Sequence, residues 1–217
     1  MSESNKINRR TVIFAGAGIA ASAVAATVVA GPSEPTPSNP EGPFYPKHKQ
    51  PDKDTDLTRI EGRSERAQGQ VIRVEGQVLD EAGQPVQGAL VDIWQANAAG
   101  RYDHEDDSAL APLDPNFQGW GMVKTDDQGR YSFTTIKPGA YSVDADWSRP
   151  PHIHFKVSRR GYHELTTQMY FAGESLNDTD RLLRDVPEDR RGLLVVDFRE
   201  EGGLPRGQFP ITLAKVT

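Results

Sequence analysis

The chain has 217 residues, of which 36% are hydrophobic and 26% are charged, a composition typical of one globular domain. Its net charge of −6 offers no basic field to a phosphate backbone, so we expect no nucleic-acid partner. The absence of cysteine excludes disulfides, thiolate metal sites and thiol catalysis, so any metal must be held by nitrogen and oxygen ligands.

Residues 1–30 are predicted to be a signal for export. Arg9 and Arg10 precede an uncharged run at 11–30 that is dominated by Ala, Val, Ile and Gly. The pair in "NRRTVIF" resembles a twin-arginine signal, which would place the protein in the periplasm or outside the cell. A retained anchor is the alternative, since about twenty apolar residues can just span a bilayer. After signal cleavage we expect no membrane contact.

Residues 31–70 are predicted to form a proline-rich extended arm, and 71–217 the folded domain. Six prolines fall between Pro32 and Pro46, which favours extended backbone. From Val71 onward, short β-rich runs alternate with turns, including a hairpin turn "DDQG" in which Gly129 supplies a positive φ. The only helix we expect is short, around 178–184. The pattern predicts an all-β fold, an antiparallel β-sandwich or a barrel, with little helix.

A stretch between Val74 and Val143 resembles transthyretin-like and carboxypeptidase-regulatory β-sandwiches. It contains "GQVLD", "GQPVQGA", "DQGRYSF" and "PGAY" in that order. The Gly, Asp and Pro residues specify turns and the Val, Tyr and Phe residues fill a core, so structural needs alone account for the motif. A secreted, non-catalytic binding sandwich is therefore one of the functions we consider.

Two histidines one residue apart, His152 and His154, lie in a predicted strand "HIHFKV". Alternate side chains of a strand share a face, so both imidazoles point the same way, roughly 6.6–6.8 Å apart along the backbone, while Ile153 and Phe155 point into the core. The pair suits either a metal site or two solvent-facing histidines. A cupin or a two-His, one-carboxylate iron site would need a nearby acid, yet the next one is Glu164.

Without cysteine or a nearby carboxylate, tyrosinate is the remaining anionic ligand. A free phenol has a pKa of about 10, so only a strongly Lewis-acidic cation such as Fe(III) would keep it ionised at neutral pH. Tyr102 follows a strand in a polar, glycine-rich segment, and Tyr141 follows a Pro-Gly turn eleven residues before His152. The core pattern of the sandwich module would also explain Tyr141. A His-based zinc or copper site is a further alternative.

Five segments in register resemble the intradiol ring-cleavage dioxygenases, and within them the protocatechuate 3,4-dioxygenase branch. That resemblance implies a β-sandwich fold, a mononuclear non-haem Fe(III), and insertion of O2 into a catecholic substrate between its two hydroxylated carbons, giving a cis,cis-muconate-type diacid. The segments, found between about Val71 and Phe171, are "VDIWQANAAGRYDH", "LAPLDPNFQGWG", "TDDQGRYSFTTIKPGAY", "RPPHIHFKV" and "TQMYF".

The same resemblance implies the iron ligands. One tyrosinate would leave the metal when the catechol binds and would serve as a base, so Tyr141 is also counted as catalytic. The four protein ligands implied are Tyr102, Tyr141, His152 and His154.

Three further residues gain a role from the resemblance. Arg149 would stabilise negative charge that develops on the substrate ring. Gln168 would hydrogen-bond an oxygen of a reaction intermediate. Trp94 would line the substrate pocket together with Arg149. A surface arginine and a core-packing tryptophan are the simpler interpretations of Arg149 and Trp94.

The chain departs from the protocatechuate branch after Tyr141, where Ser142-Val143-Asp144 replace Pro-Trp and an arginine. The substrate class is therefore left as catechol-like or protocatechuate-like. Enzymes of that branch pair two related chains, so the pocket here is either completed by a second copy, in a homo-oligomer, or more open. The segment "EGPFYP" with Tyr45 either reaches the pocket or is a simple arm. The remaining histidines, expected to be solvated loop residues without a role, are His48, His104 and His163.

Overall fold

The fold is that of a computed structural model, which describes residues 33–48, 50 and 52–217. The predicted signal at 1–30 lies outside the described residues. The described chain is mostly β-strand with few helices, and no helix within it is long and apolar enough to cross a membrane. The strands are β1 (Val71–Asp80), β2 (Leu90–Trp94), β3 (Trp120–Lys124), β4 (Arg130–Ile136), β5 (Tyr141–Asp144), β6 (Trp147–Arg149), β7 (His152–Ser158), β8 (Leu165–Phe171), β9 (Val195–Val196), β10 (Phe198–Glu201), β11 (Leu204–Gln208) and β12 (Ile211–Leu213).

In the described part of the chain, helical structure is confined to single turns after β8. A 3₁₀ turn at Ser175–Asp178 is followed by α1 (Arg181–Arg184) and α2 (Glu188–Arg191). The predicted helix around 178–184 is thus shorter than expected, and α2 was missed. One turn between Pro187 and Gly192 is too short to show the apolar period of 3.6 residues by which a helix is recognised.

The strands form two five-stranded sheets and a β5–β6 hairpin. The first sheet has the order β10-β11-β1-β12, with β4 also paired to β1, and the second has the order β3-β2-β7-β8-β9. The prediction of wholly antiparallel sheets was wrong, because β1 pairs in parallel with β11 and β12, and β8 with β9. Alternation along a strand shows which residues share a face, but it does not show the direction of a partner strand distant in sequence.

The hydrophobic core is formed by residues of both sheets. Phe133 of the first sheet and Phe155 of the second are fully buried, and their ring centroids are 5.9 Å apart. Ile153 is buried in the same cluster. The predicted core face of β7 is thereby confirmed, and it leaves His152 and His154 on the opposite face.

The predicted turn at 126–129 is present, but it is not a hairpin within one sheet. Gly129 has φ of 71°, and a Cβ there would lie 2.4 Å from the carbonyl oxygen of Val78. The Asp126 carboxylate accepts hydrogen bonds from the backbone N–H groups of Gln128 and Arg130, at 2.9 and 2.8 Å. The turn joins β3 to β4, which belong to different sheets, so it carries the chain across the core.

The segment 33–48 contains no strand or helix and crosses both sheets near β8 and β12. Its backbone is held by hydrogen bonds from Thr36 N to Thr212 O at 3.0 Å and from Asn39 N to Thr166 O at 2.9 Å. The Thr167 hydroxyl donates to the carbonyl of Pro37 at 2.7 Å. These contacts bring the residues that follow Pro40 to the face of β7 that carries the histidines.

Candidate active site

The phenolic oxygen of Tyr102 lies between the two histidines of β7. It is 3.1 Å from Nε2 of His154 and 3.4 Å from Nε2 of His152. The two imidazole centroids are 4.9 Å apart, and all three side chains are buried. Three nitrogen and oxygen atoms therefore point at one small region, which settles against two solvent-facing histidines.

Tyr141 closes the same cluster from the start of β5. Its ring centroid lies 5.7 Å from that of Tyr102 and 5.7 Å from that of His152. Tyr141 is only partly buried, whereas Tyr102 is 4% exposed. The structure thus brings all four predicted ligands together, with Tyr141 on the solvent side.

Two glycines allow the loops that carry the tyrosines to touch through their backbones. Gly100 has φ of 78°, and a Cβ there would lie 2.3 Å from the carbonyl oxygen of Ala140. A Cβ on Gly139 would lie 2.5 Å from the carbonyl oxygen of Ala98. Only residues without a side chain permit this approach, and it fixes the separation of Tyr102 and Tyr141.

The two imidazoles are oriented by different contacts, His152 by a hydrogen bond at its other nitrogen and His154 by stacking of its ring face. Nδ1 of His152 lies 2.7 Å from the carbonyl oxygen of Pro150, and since a carbonyl only accepts, this nitrogen carries the hydrogen. The Nε2 lone pair of His152 is then directed at Tyr102. The ring of His154 stacks on Trp94, with centroids 4.7 Å apart and an interplanar angle of 12°. These contacts hold both Nε2 atoms towards the cluster.

The electrostatics of the cluster favour neutral imidazoles. Burial, together with the positive charge of Arg149, lowers the pKa of His154 to about 3. The same two causes, burial first, hold the pKa of His152 well below its ordinary value. Both rings are therefore uncharged at neutral pH and have a lone pair available to a metal.

The phenols are poor acids in the absence of a cation. Burial raises the pKa of Tyr102 well above its ordinary value, and the neighbouring Tyr141 raises it further. Burial also raises the pKa of Tyr141, although the charge of Arg149 opposes that rise. Ionised phenolates at this site therefore need a strong positive charge beside them.

The donor set fits a ferric ion better than zinc or copper. The Tyr102 phenol has one hydrogen for two Nε2 atoms, and Nδ1 of His154 is buried without a hydrogen-bond partner among the described residues, so one nitrogen of His154 stays unsatisfied in either tautomer. Nowhere in the described chain do three His, Cys, Asp or Glu side chains form a possible metal cluster, so a metal held by both histidines here would need tyrosine as a further ligand. Two imidazole nitrogens and two phenol oxygens are a set of hard and intermediate donors suited to Fe(III).

Arg149 is buried beside the cluster rather than exposed on the surface. It is 4% exposed, and its Nη2 donates to Oε1 of Gln168 at 2.6 Å and to the Tyr170 hydroxyl at 3.1 Å. Its Nε donates to the buried Asp180 carboxylate at 2.6 Å. The predicted pair of Arg149 and Gln168 is thus directly hydrogen-bonded. The sequence did not predict a role for Tyr170 or Asp180, because their hydrogen bonds with Arg149 join segments that are distant in the chain.

Trp94 forms one wall of the cluster, and the N-terminal arm forms another. Phe44 stacks on Tyr102 with centroids 4.6 Å apart, and Tyr45 contacts Trp94 edge to face at 5.0 Å. The Tyr45 hydroxyl donates to Oδ2 of Asp92 at 2.7 Å. Of the two alternatives for "EGPFYP", the arm therefore reaches the candidate site. The adjacent aromatic residues Phe44 and Tyr45 in a polar, proline-rich arm indicate such a contact in the sequence.

The expectation that His104 is a solvated residue was wrong. Its side chain is only 4% exposed, its ring lies 5.8 Å from that of Phe44, and its Nε2 is 3.1 Å from the carbonyl oxygen of Tyr45. His104 therefore packs against Phe44 and Tyr45 of the arm. Local sequence does not show this contact, because the arm and His104 are more than fifty residues apart in the chain. His48 and His163 are exposed, as expected.

Comparison with known proteins identifies the family. A family model described as a dioxygenase matches residues 40–205. The beta chain of protocatechuate 3,4-dioxygenase from Burkholderia cepacia is 42% identical over 168 residues, which cover 74% of this chain and 71% of that protein. This chain belongs to the intradiol ring-cleavage dioxygenase family. Members of this family generally use non-haem Fe(III).

Other members agree in sequence and in structure. Catechol 1,2-dioxygenase from Candida albicans is 38% identical over 103 residues, covering 42% of this chain and 33% of that protein. The dioxygenase domain of a carbohydrate-binding fusion protein from Streptomyces sp. SirexAA-E superposes with a TM-score of 0.62 at 31% identity, over 84% of this chain and 100% of that one. The 3-chlorocatechol 1,2-dioxygenase of Rhodococcus opacus 1CP gives a TM-score of 0.65 at 25% identity, over 84% and 74%. The predicted family is confirmed, which favours an enzyme over a non-catalytic binding sandwich.

Proposed function

We propose that this intradiol dioxygenase holds one mononuclear Fe(III) between Tyr102, Tyr141, His152 and His154, and that it cleaves catecholic substrates between their two hydroxylated carbons. The observation that carries the proposal is the convergence of the Tyr102 oxygen on both Nε2 atoms, at 3.1 and 3.4 Å. Two phenolates would offset most of the ferric charge, which allows the centre to be buried. When bound, the ion would keep the phenols ionised and make the catechol reactive towards O2.

Of the two phenols that would hold the iron, Tyr141 would be the better suited to accept a proton from the substrate. It is only partly buried, and it comes from the short hairpin β5–β6 rather than from a central strand. Tyr102 is enclosed by Phe44 and both histidines. A displaced phenolate with a raised pKa is a strong base, because its protonated form is the one that burial favours.

Arg149 places a fixed positive charge where the ring gains electron density. Its guanidinium is buried, so water does not screen that charge and its effect on the substrate is larger than at a surface. The Gln168 Oε1 accepts from Arg149, and its Nε2 donates one hydrogen to the carbonyl of Pro40 at 3.1 Å. The second N–H of that amide is then free to donate to a substrate oxygen.

Trp94 and Phe44 stack directly on two of the proposed ligands, Trp94 on His154 and Phe44 on Tyr102. Their faces would thus hold the ligand rings in place and exclude water from that side of the cluster. Trp94 would affect substrate recognition mainly through the position of His154.

Oxygen uptake by the iron-loaded protein tests the proposal. Catechol, protocatechuate, hydroxyquinol and chlorinated catechols would be compared with resorcinol, whose hydroxyl groups are not adjacent. We expect the purified protein to be reddish-brown from phenolate-to-iron charge transfer, and to consume one O2 for each 1,2-diol opened, with resorcinol inert. Bound iron without uptake on any 1,2-diol would refute the proposal.

We further propose that the two five-stranded sheets are the layers of a β-sandwich that residues 31–70 flank as an arm. The proposal is supported by the shared core, in which Phe133 and Phe155 of opposite sheets are in contact, and by the hydrogen bonds of Thr36 and Asn39 to β12 and β8. Light scattering would show whether copies associate into a homo-oligomer, since members of this family often form oligomers.

We also propose export by the twin-arginine route, on the strength of Arg9 and Arg10 ahead of the apolar run at 11–30. Cell fractionation of the full chain and of the double variant Arg9→Lys/Arg10→Lys would test it. Export of the full chain with retention of the variant is expected, whereas equal export of both would exclude this route. The N-terminal sequence of the exported protein would then separate a cleaved signal from an anchor.

A further inference from the structure

We propose that Asp180 is a positioning residue of this enzyme, which holds the Arg149 guanidinium in its working orientation and ties it to α1. Asp180 stands just before α1 and 31 residues after Arg149 in the chain. The kinetic part of the inference rests on the proposed function, while the structural part does not.

Both oxygens of the Asp180 carboxylate have a defined partner. Oδ2 accepts from Nε of Arg149 at 2.6 Å, and Oδ1 accepts from the backbone N–H of Leu183 at 2.8 Å as the N-cap of α1. Asp180 is fully buried. With one oxygen bound to the helix and the other to the guanidinium, the carboxylate cannot rotate without losing a bond.

The guanidinium is clamped from a second direction. Its Nη2 donates to Oε1 of Gln168 and to the Tyr170 hydroxyl. The Tyr170 hydroxyl in turn lies 3.2 Å from Gln168 Oε1 and 3.3 Å from Asp180 Oδ1. A planar group bound at Nε by one acceptor and at Nη2 by others has a single allowed plane. That plane decides where the positive charge meets the substrate.

Asp180 is also the counter-ion of Arg149. A buried cation without a partner would move towards water or recruit it. Since both members of this pair are buried, loss of the carboxylate should leave Arg149 present but wrongly placed. The residue therefore acts through Arg149 and need not touch the substrate.

Replacement by asparagine tests this geometry most sharply. An amide has one carbonyl oxygen where the carboxylate has two, so Asp180→Asn must give up either the cap on Leu183 or the bond to Arg149. Asp180→Glu keeps both oxygens and the charge. Asp126→Asn is the matched control. One oxygen of Asp126 also accepts from backbone N–H groups and the other from an arginine Nε, that of Arg130 at 2.9 Å, but Asp126 is exposed in the turn between β3 and β4.

The kinetic experiment uses the iron-loaded full chain. For Asp180→Asn we expect retained iron colour, a fall in kcat of about tenfold or more and a smaller change in KM. Complete removal of one stabilising hydrogen-bond donor costs other enzymes about 10²–10³ in kcat, and here the donor is displaced rather than removed. Asp180→Glu should recover part of that loss, and Asp126→Asn should match the wild type. In an Arg149→Gln background, Asp180→Asn should have little further effect on kcat, because its partner is gone.

A structural readout on metal-free protein separates this inference from the proposed function. In ¹⁵N NMR the Arg149 Nε–H, assigned by its loss in Arg149→Lys, should exchange slowly in the wild type and rapidly in Asp180→Asn.

A wild type inactive on every 1,2-diol would overturn the proposed function without touching the positioning role. An active wild type with unchanged kcat and unchanged Nε–H exchange in Asp180→Asn would overturn the positioning role. Additive losses in the double variant would show a role in folding alone, and would also refute it.

Discussion

The phenolic oxygen of Tyr102 lies 3.1 Å from Nε2 of His154, a contact between residues 52 positions apart in the chain. It joins the loop after β2 to the middle of β7, at the place where the polar side chains of the second sheet are most deeply buried.

Removal of one phenol oxygen should remove the iron chromophore. In Tyr102→Phe the aromatic ring still packs on Phe44, so we expect a folded protein with weakened iron binding, little visible absorption and no O2 uptake. Tyr131→Phe is the control, since Tyr131 is also a buried tyrosine but donates to the carbonyl oxygen of Phe209, outside the cluster. Absorption spectra and metal analysis would check both. A coloured, active Tyr102→Phe would contradict the assignment of this ligand.

A methyl group on Gly100 should disturb the site through the loop backbone. The added Cβ would meet the carbonyl oxygen of Ala140 at 2.3 Å, so the segment that carries Tyr141 must move. We expect Gly100→Ala to lose most of its iron affinity. Gly161→Ala is the matched control: Gly161 also has a positive φ, 91°, but a Cβ there meets nothing within 4 Å. Both variants carry backbone strain, so equal iron affinity in the two would contradict the prediction.

Loss of the Tyr45 hydroxyl should loosen the arm. Tyr45→Phe leaves Oδ2 of the buried Asp92 without its partner, at a cost of about 1–3 kcal/mol in the free energy of unfolding. We expect faster hydrogen exchange across 33–46 in this variant. Lys47→Ala, which removes an exposed ion pair with Glu105 and Asp106, should change the exchange little. If Lys47→Ala had the larger effect, the buried bond would not be what holds the arm.

Acid should destabilise the fold partly through Asp80. Burial alone would raise the pKa of this carboxyl, but bonds from Lys215 and from the backbone of Gln84 and Ala82 outweigh it, so its pKa is lowered from 3.8. A lowered pKa in the folded state gives stability that is present above the unfolded value and is lost as the pH falls through the folded value. The Tm should therefore decline below about pH 4. In Asp80→Asn the Tm should be lower at neutral pH and depend less on pH in that range; parallel Tm profiles for both proteins would contradict this.

The sequence by itself determined the features that depend on local spacing or on whole motifs. The period of two in "HIHFKV" put both imidazoles on one face of β7 and Ile153 and Phe155 on the other, because adjacent residues of any strand point in opposite directions. Five motifs in register predicted the family, and the absence of cysteine excluded thiolate sites. Gly129 was recognised as a positive-φ residue from its turn alone.

Only the tertiary structure decided which distant segments meet. It set β11 and β12 parallel to β1, and it brought Phe44 of the arm onto Tyr102. It also placed Asp180 against Arg149. Spacing along a chain records the face on which a side chain lies, but it carries no information about a partner more than thirty residues away. Those partners are selected because folding buries apolar surface and because every buried charge or hydrogen-bonding group needs a partner. Both requirements apply to the folded chain as a whole.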